Sequence, residues 1–217
     1  LAMVLTGAPL LPITQTAPKA AAQTTPSNPT VSAGKTTWDC VYFGNYWQSD
    51  TNGDGKADTS DSKEPIKWRV LSVNGDDMFL LADQNLDVRA YNTKNEDITW
   101  EKCTLRSWLN GYGAASNTDG EDYSSAGASF LSNAFSSSEQ SDIRNTNVVN
   151  DDNVWSDDDN VEYRIEGGNN TTDKVYLLSI AESSNTAYGF NGTLDAESGT
   201  RCAKNTAYAK QEGAWTY

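Results

Sequence analysis

The sequence predicts an α+β fold of small antiparallel sheets joined by short helices. Three observations carry this. The runs 38–48 and 65–73 are aromatic and β-branched, as strands are. Two Ser-x-x-Glu sequences, Ser136 to Glu139 and Ser179 to Glu182, read as capping boxes that start helices. An Asn-Gly step at 74–75 sits between two apolar runs, as in a two-residue hairpin.

The elements follow in order along the 217 residues, a length that suits one core or one domain plus a tail. Residues 1–22 read as the remnant of a secretory signal peptide: an apolar stretch broken by Pro9 and Pro12, then Ala20-Ala-Ala22 as a small-residue cleavage site. With neither an initiator methionine nor a basic leader, the sequence starts mid-signal, and the stretch is too short to span a bilayer. Residues 23–34, rich in Thr, Ser and Pro, are expected to be a disordered linker. The remainder, 35–217, is expected to form one surface domain.

Within it, the 73–76 turn joins strands at 68–73 and 78–82. A helix is expected over 99–110, capped by Thr99, carrying a stripe of Leu105, Trp108 and Leu109, and ended by Gly111. Residues 112–128 lack a pattern and read as a surface loop. Phe130, Leu131, Ala134 and Phe135 make a short apolar helix, and the capping box at Ser136 opens another ending near Ile143. A brief strand is expected at 147–150, an acidic loop around Trp155 at 151–162, a buried strand at 174–179, and a last helix capped by Ser179. Three cysteines, Cys40, Cys103 and Cys202, leave their pairing open.

Residues 50–61, DTNGDGKADTSD, spell a calcium-binding loop. Oxygen-bearing side chains fall at positions one, three, five, nine and twelve: Asp50, Asn52, Asp54, Asp58 and Asp61. Gly55 occupies position six, where the chain folds back around the ion, and Lys56 at position seven needs to offer only its carbonyl. A hard cation takes roughly six to eight oxygens, and this spacing supplies them from one segment, so Ca2+ is the expected cofactor. The competing reading is a polar surface turn, which favours the same residues. Strand-like flanks place the loop between strands, not between the helices of an EF-hand. A dockerin would carry a second such loop. The only echo, at Asn117-Thr-Asp-Gly120, has Ala115 and Ala126 at its first and last ligand positions.

Composition excludes several functions. A formal charge of −14 repels nucleic acid and anionic lipid. The absence of histidine removes Ser-His-Asp and Cys-His catalysis and the commonest zinc ligand. Two classes remain. The first is a non-catalytic secreted or cell-surface module, stabilised by one calcium ion, that binds an extracellular glycan or protein or spaces other domains. Trp47, Tyr112, Trp155 and Tyr188 are its candidate sugar-stacking side chains, although core packing competes for each. The second is a secreted carboxylate-dependent hydrolase using Glu101 or Glu139. Glu101, however, lies in the first turn of the expected helix, where the dipole already accounts for a carboxylate.

Seven motifs in order carry a family resemblance: Phe43-Gly44-x-Tyr46-x-Gln48, Glu64-Pro-Ile-Lys-Trp-Arg-Val-Leu71, Leu80-Leu-Ala-Asp83, Tyr91-Asn92, Thr99-Trp-Glu-x-Cys-Thr-Leu-Arg-x-Trp-Leu-Asn110, Ala134-Phe-Ser136 and Gly167-Gly-Asn-Asn-Thr-Thr-Asp-Lys-Val-Tyr-Leu-Leu-Ser179. From about Thr36 onward the chain resembles the domain of unknown function 6273 family of secreted and surface bacterial proteins. Members continue with a WWLRSPG-like segment and a VRPAL-like strand, so the resemblance implies a domain incomplete at its C-terminus. Trp47 replaces the family's usual proline, and Val88 stands where a cysteine is frequent. Shorter members lack the 50–61 loop, which implies that calcium is an accessory. The family's Trp/Arg-rich ending is similar to those of C-type-lectin-like and formylglycine-enzyme-like folds.

Overall fold

The computed structural model describes residues 2–6, 25–156, 162–192 and 200–215. Its centre is a four-stranded antiparallel sheet in the order β1-β6-β5-β4, built from β1 (Ala2–Thr6), β4 (Cys40–Tyr46), β5 (Glu64–Asn74) and β6 (Asp77–Ala82). Between β1 and β4, β2 (Thr30–Ser32) pairs with β3 (Lys35–Thr37) as a hairpin. The stretch read as a linker thus includes β2, and Asn28 Oδ1 accepts the Val73 N–H at 2.7 Å. Most of the stretch read as a signal peptide, 7–22, lies outside the described residues.

Strands β4, β5 and β6 arise where expected and for the expected reason. Along β5, Ile66, Trp68 and Val70 turn inward and Lys67 outward, the period-two pattern of a half-buried strand. The turn into β6 has Gly75 and Asp76 at its centre, with Gly75 at φ +60°. Two bulges adjust the sheet. Leu71 is extra against β6, which lets it turn inward beside Val70. On β4, Phe43 and Gly44 together oppose Ile66. The Trp68 indole N–H donates to the Phe43 carbonyl at 2.8 Å, so the bulge leaves that acceptor satisfied inside the protein.

The helices cover this sheet. The apolar segment forms α2 (Phe130–Ala134), capped by Ser129, and α3 (Ser137–Asp142) follows with a capping box between Ser136 and Glu139. Phe43, Trp68, Phe130 and Phe135 pack as one aromatic cluster, with ring centroids 5.3–6.3 Å apart for the pairs Phe43–Phe135, Phe130–Phe135 and Trp68–Phe135.

The expected helix over 99–110 is split. Thr99 precedes a 3-10 turn, Trp100–Lys102, and makes no side-chain cap bond. Cys103 is extended (ψ 153°) and its sulfur accepts the Arg106 N–H at 3.5 Å, so it caps α1 (Thr104–Asn110), which ends at left-handed Gly111. Leu109 is fully buried and Trp108 nearly so. The acidic loop is in fact a hairpin, β9 (Asn153–Ser156) with β10 (Glu162–Ile165), its 157–161 connection being outside the described residues. The strand expected at 174–179 lies earlier: β11 (Thr171–Asp173) pairs with β8 (Thr146–Val148). Further on come α4 (Ile180–Ser183), with its Ser179–Glu182 capping box, and α5 (Ala207–Gln211). Short parallel pairing joins β7 (Gln84–Asn85) to β12 (Lys204–Asn205). The α+β class is as the sequence predicts.

Gly44 gives the sheet its most exacting position. It has φ +69°, and an added Cβ would overlap the Phe135 ring and sit 2.8 Å from the Ala134 carbonyl oxygen. Gly44→Ala combines a disfavoured backbone region with overpacking. It should lower stability by about 2–4 kcal/mol, read as a drop in the urea midpoint without a change of slope.

Candidate metal centre and neighbouring cavity

The DTNGDGKADTSD segment forms the connection between β4 and β5, the strand-to-strand setting predicted for it. Its base is clasped by Gln48, whose side-chain amide donates to the Glu64 and Pro65 carbonyls at 2.9 and 3.0 Å. Ser49 Oγ donates to the Glu64 carboxylate at 2.6 Å. Ala57, at position eight, is buried in the core and pins the middle of an otherwise exposed loop.

The oxygen-bearing side chains organise the backbone between these anchors. Asp50 accepts the Gly53 and Gly55 N–H groups at 2.6 and 2.8 Å, one on each oxygen. Asn52 accepts from Asp54, Asp54 from Lys56 and Asp58 from Ser60, each bond skipping one residue (2.9, 2.9 and 2.8 Å). Asp61 closes the ring: Oδ1 takes the Thr51 and Asn52 N–H groups and Oδ2 that of Asp58. Gly55 has φ +91° and open space where a Cβ would point, so its requirement is conformational. Hydrogen bonding holds two carboxyls below the usual range. For Asp61 the donors are the N–H groups of Asp58, Asn52 and Thr51; for Asp58 they are the Ser60 hydroxyl and N–H.

The set fits a hard cation in donor chemistry, being oxygen throughout. In arrangement, its acidic side chains are engaged with backbone N–H groups. Among the described residues no group of three or more His, Cys, Asp or Glu side chains is gathered so that it could hold a metal ion.

The other candidates are largely engaged in structure. Lys63 Nζ sits 4.2 Å over the Trp47 ring, which also stacks on Tyr208 at 5.9 Å. Tyr188 packs edge-on against Phe79. Tyr112 lies under the Arg106 guanidinium, and burial next to the Asp173 carboxylate pushes its hydroxyl up to about 12. The Trp155 side chain lies outside the described set. Glu139 completes the α3 capping box and accepts the Gly44 N–H at 3.3 Å. Glu101 accepts from the Asn169 amide at 2.9 Å, which holds its carboxyl below the usual range, whereas a general acid needs the opposite shift.

Sequence reasoning missed two features. The first is a buried polar knot. Asp173, with no exposed surface, accepts from Arg106 Nε (2.8 and 3.0 Å), Trp100 Nε1 (3.0 Å), the Tyr112 hydroxyl (3.1 Å) and the Thr171 hydroxyl (2.7 Å). One turn along α1, Asn110 Oδ1 accepts the Lys174 and Val175 N–H groups and its amide donates to the Val175 carbonyl. The i, i+4 spacing of Arg106 and Asn110 was the available signal, since it puts both on one helix face.

The second is a cavity of about 530 Å³ beside α1, lined by Arg69, Arg89, Arg201, Trp108 and a set of leucines. At its edge Asp83 is shared by Arg69 (2.6 Å) and Lys67 (3.2 Å). Partial burial raises the Asp83 carboxyl, but the hydrogen bonds and charges of Arg69 and Lys67 outweigh this and hold it below the usual range.

A family model described as Domain of unknown function (DUF6273) matches residues 75–217, and the chain belongs to that family. The 50–61 loop and the first two motifs lie ahead of the matched span. No curated protein and no solved structure matches. Among the described residues no helix is long and apolar enough to cross a membrane.

Two predictions follow from these charges. Asp173→Ala strands Arg106 in the interior and should cost about 3–5 kcal/mol in denaturant unfolding, whereas Arg106→Met with Asp173→Leu should recover part of that loss. Asp83 has a folded pKa below its unfolded value, so its contribution is complete above about pH 4 and is lost as pH falls further, through the folded pKa. Urea titrations across that range should show a shallower acid decline for Asp83→Asn than for the wild type.

Proposed function

We propose that this member of the domain of unknown function 6273 family is a non-catalytic secreted or cell-surface binding module stabilised by one calcium ion. The observation that carries the reading is the course of the 50–61 loop, in which Asp50, Asn52 and Asp54 each turn the chain by accepting N–H groups and Gly55 folds it back at φ +91°. A carboxylate or amide oxygen that accepts one N–H keeps a lone pair for a cation. Asp50, Asn52, Asp54, Asp58 and Asp61, with the Lys56 carbonyl, would hold the ion, which would offset the repulsion of four aspartates in one short loop. The engagement of Glu101 and Glu139 in structural bonds favours binding over carboxylate catalysis.

Calcium at one hundred times its dissociation constant would stabilise the protein by about 2.7 kcal/mol, or roughly 5–10 °C in Tm. Calorimetry with calcium and then with chelator should show this shift, and Asp54→Ala should remove it. Magnesium should reproduce little of it, because it demands stricter octahedral geometry. A melting curve indifferent to calcium would sink the proposal.

A further inference from the structure

The cavity beside α1 combines a guanidinium with spare donors and aliphatic walls. We propose that it binds a small organic carboxylate, with the charged head held by Arg89 and an aliphatic body lying along Leu81, Leu86, Leu105 and Leu178.

Two of the arginines that line the cavity, Arg69 and Arg89, are not equivalent. Arg69 is consumed: Nε donates to Asp83 Oδ1 at 2.6 Å, Nη2 to the Asp83 carbonyl at 3.3 Å and Nη1 to the Thr200 carbonyl at 3.5 Å. Arg89 meets only the Asp87 carboxylate, at 3.7 Å through Nε, and among the described residues neither of its Nη atoms donates a hydrogen bond. Asp87 is itself committed to shorter bonds, with the Tyr46 hydroxyl at 2.6 Å and the Val88 N–H at 2.7 Å. The Arg89 guanidinium carbon lies 4.9 Å over the Trp108 ring, and its side chain is 46% exposed. A planar fork seated over an aromatic ring with two nitrogens to spare suits bidentate capture of a carboxylate.

The remaining features narrow the ligand. The volume, about 530 Å³, falls in the range of small-molecule sites. The walls carry a leucine-rich portion beside the polar one, and the Trp108 face is already occupied by Arg89, which favours an alkyl body over a stacked sugar ring. The net charge of −14 opposes an extended polyanion and leaves a small monoanion as the better fit. The inference rests on the binding-module reading but is independent of calcium.

Hexanoate is the probe, titrated calorimetrically into the full chain with calcium and again with chelator, beside hexanol and hexyl phosphate. The expected result is one saturable hexanoate site in both conditions, with hexanol at least tenfold weaker. Arg89→Met should weaken hexanoate by about tenfold or more, the loss of a charge-assisted pair, and Arg89→Lys by less. No saturation, equal affinity for hexanol, tighter binding of the phosphate, or an unchanged Arg89→Met variant would each overturn the assignment. Melting with and without calcium on the same preparation reads the calcium proposal separately, and turnover of a ligand would overturn the non-catalytic reading rather than the site.

Discussion

The buried pairing of Asp173 with Arg106 is the constraint on which the second half of the fold depends. A carboxylate with no exposed surface loses its hydration, a cost of several kcal/mol that is offset only when donors surround it in good geometry. Here the donors come from four places in the chain: the 3-10 turn through Trp100, α1 through Arg106, the following loop through Tyr112, and β11 through Thr171. Each must stop where its hydrogen bond to Asp173 is made. The position of β11, the split of the 99–110 segment and the direction of α1 are therefore coupled to one another. Asn110 extends the same grip to residues 174 and 175. The two longest family motifs thus meet as partners in one structural joint, which gives Arg106, Asn110 and Asp173 a structural task.

That joint also explains what the sequence could not convey. The 174–179 segment has the apolar pattern of a buried strand, and Val175 and Tyr176 are indeed buried. Its N–H groups at 174 and 175, however, go to the Asn110 side chain rather than to a neighbouring strand. Hydropathy registers burial and is blind to which acceptor the backbone finds. The break at Cys103 was hidden for a related reason. Thr99 is a stronger cap by type, yet the working cap is a cysteine sulfur, a residue ranked far below threonine for that role. The β9–β10 hairpin was hidden because the acidic run at 151–162 reads as loop; β10 alternates polar and apolar residues (EYRI) but is exposed along its length. By contrast, both Ser-x-x-Glu boxes, the Gly111 stop and the turn around Gly75 were legible, since each is decided by contacts within a few residues.

The candidate calcium loop was legible as a string of ligands but not as a mechanical unit. Its spacing gave the donors, while Gln48 and Ala57 emerge only from the fold. Gln48 ties the loop's entrance to the Glu64 and Pro65 carbonyls, and the Gln48 carbonyl accepts the Tyr208 N–H at 3.2 Å. The twelve residues are thereby closed off before they reach the sheet, and the register of β4 on β5 is set by the bulge at Phe43 and Gly44. Extending a hairpin connection of this kind costs little chain entropy, because closure entropy grows only logarithmically with length. The loop lies ahead of the span that the family model matches, as do β4 and β5, and Ala57 ties it to the core.

Charge is distributed with the same economy. The acidic excess is concentrated in exposed loops, among them 50–61 and 151–152, where water screens it. Among the carboxylates that approach the interior, Asp173 meets Arg106, Asp83 meets both Lys67 and Arg69, and Asp87 meets Arg89, whereas Asp61 is held by backbone N–H groups. Of these pairs the last is the loosest, at 3.7 Å, although its carboxylate is almost fully covered. Tyr46 and the Val88 N–H satisfy Asp87 closely enough that it makes no short bond with Arg89. A guanidinium thus sits over the Trp108 ring with its outer nitrogens unspent. By distance, the Arg89 pair has more slack than those of Arg69 and Arg106, which stand at 2.6 and 2.8 Å.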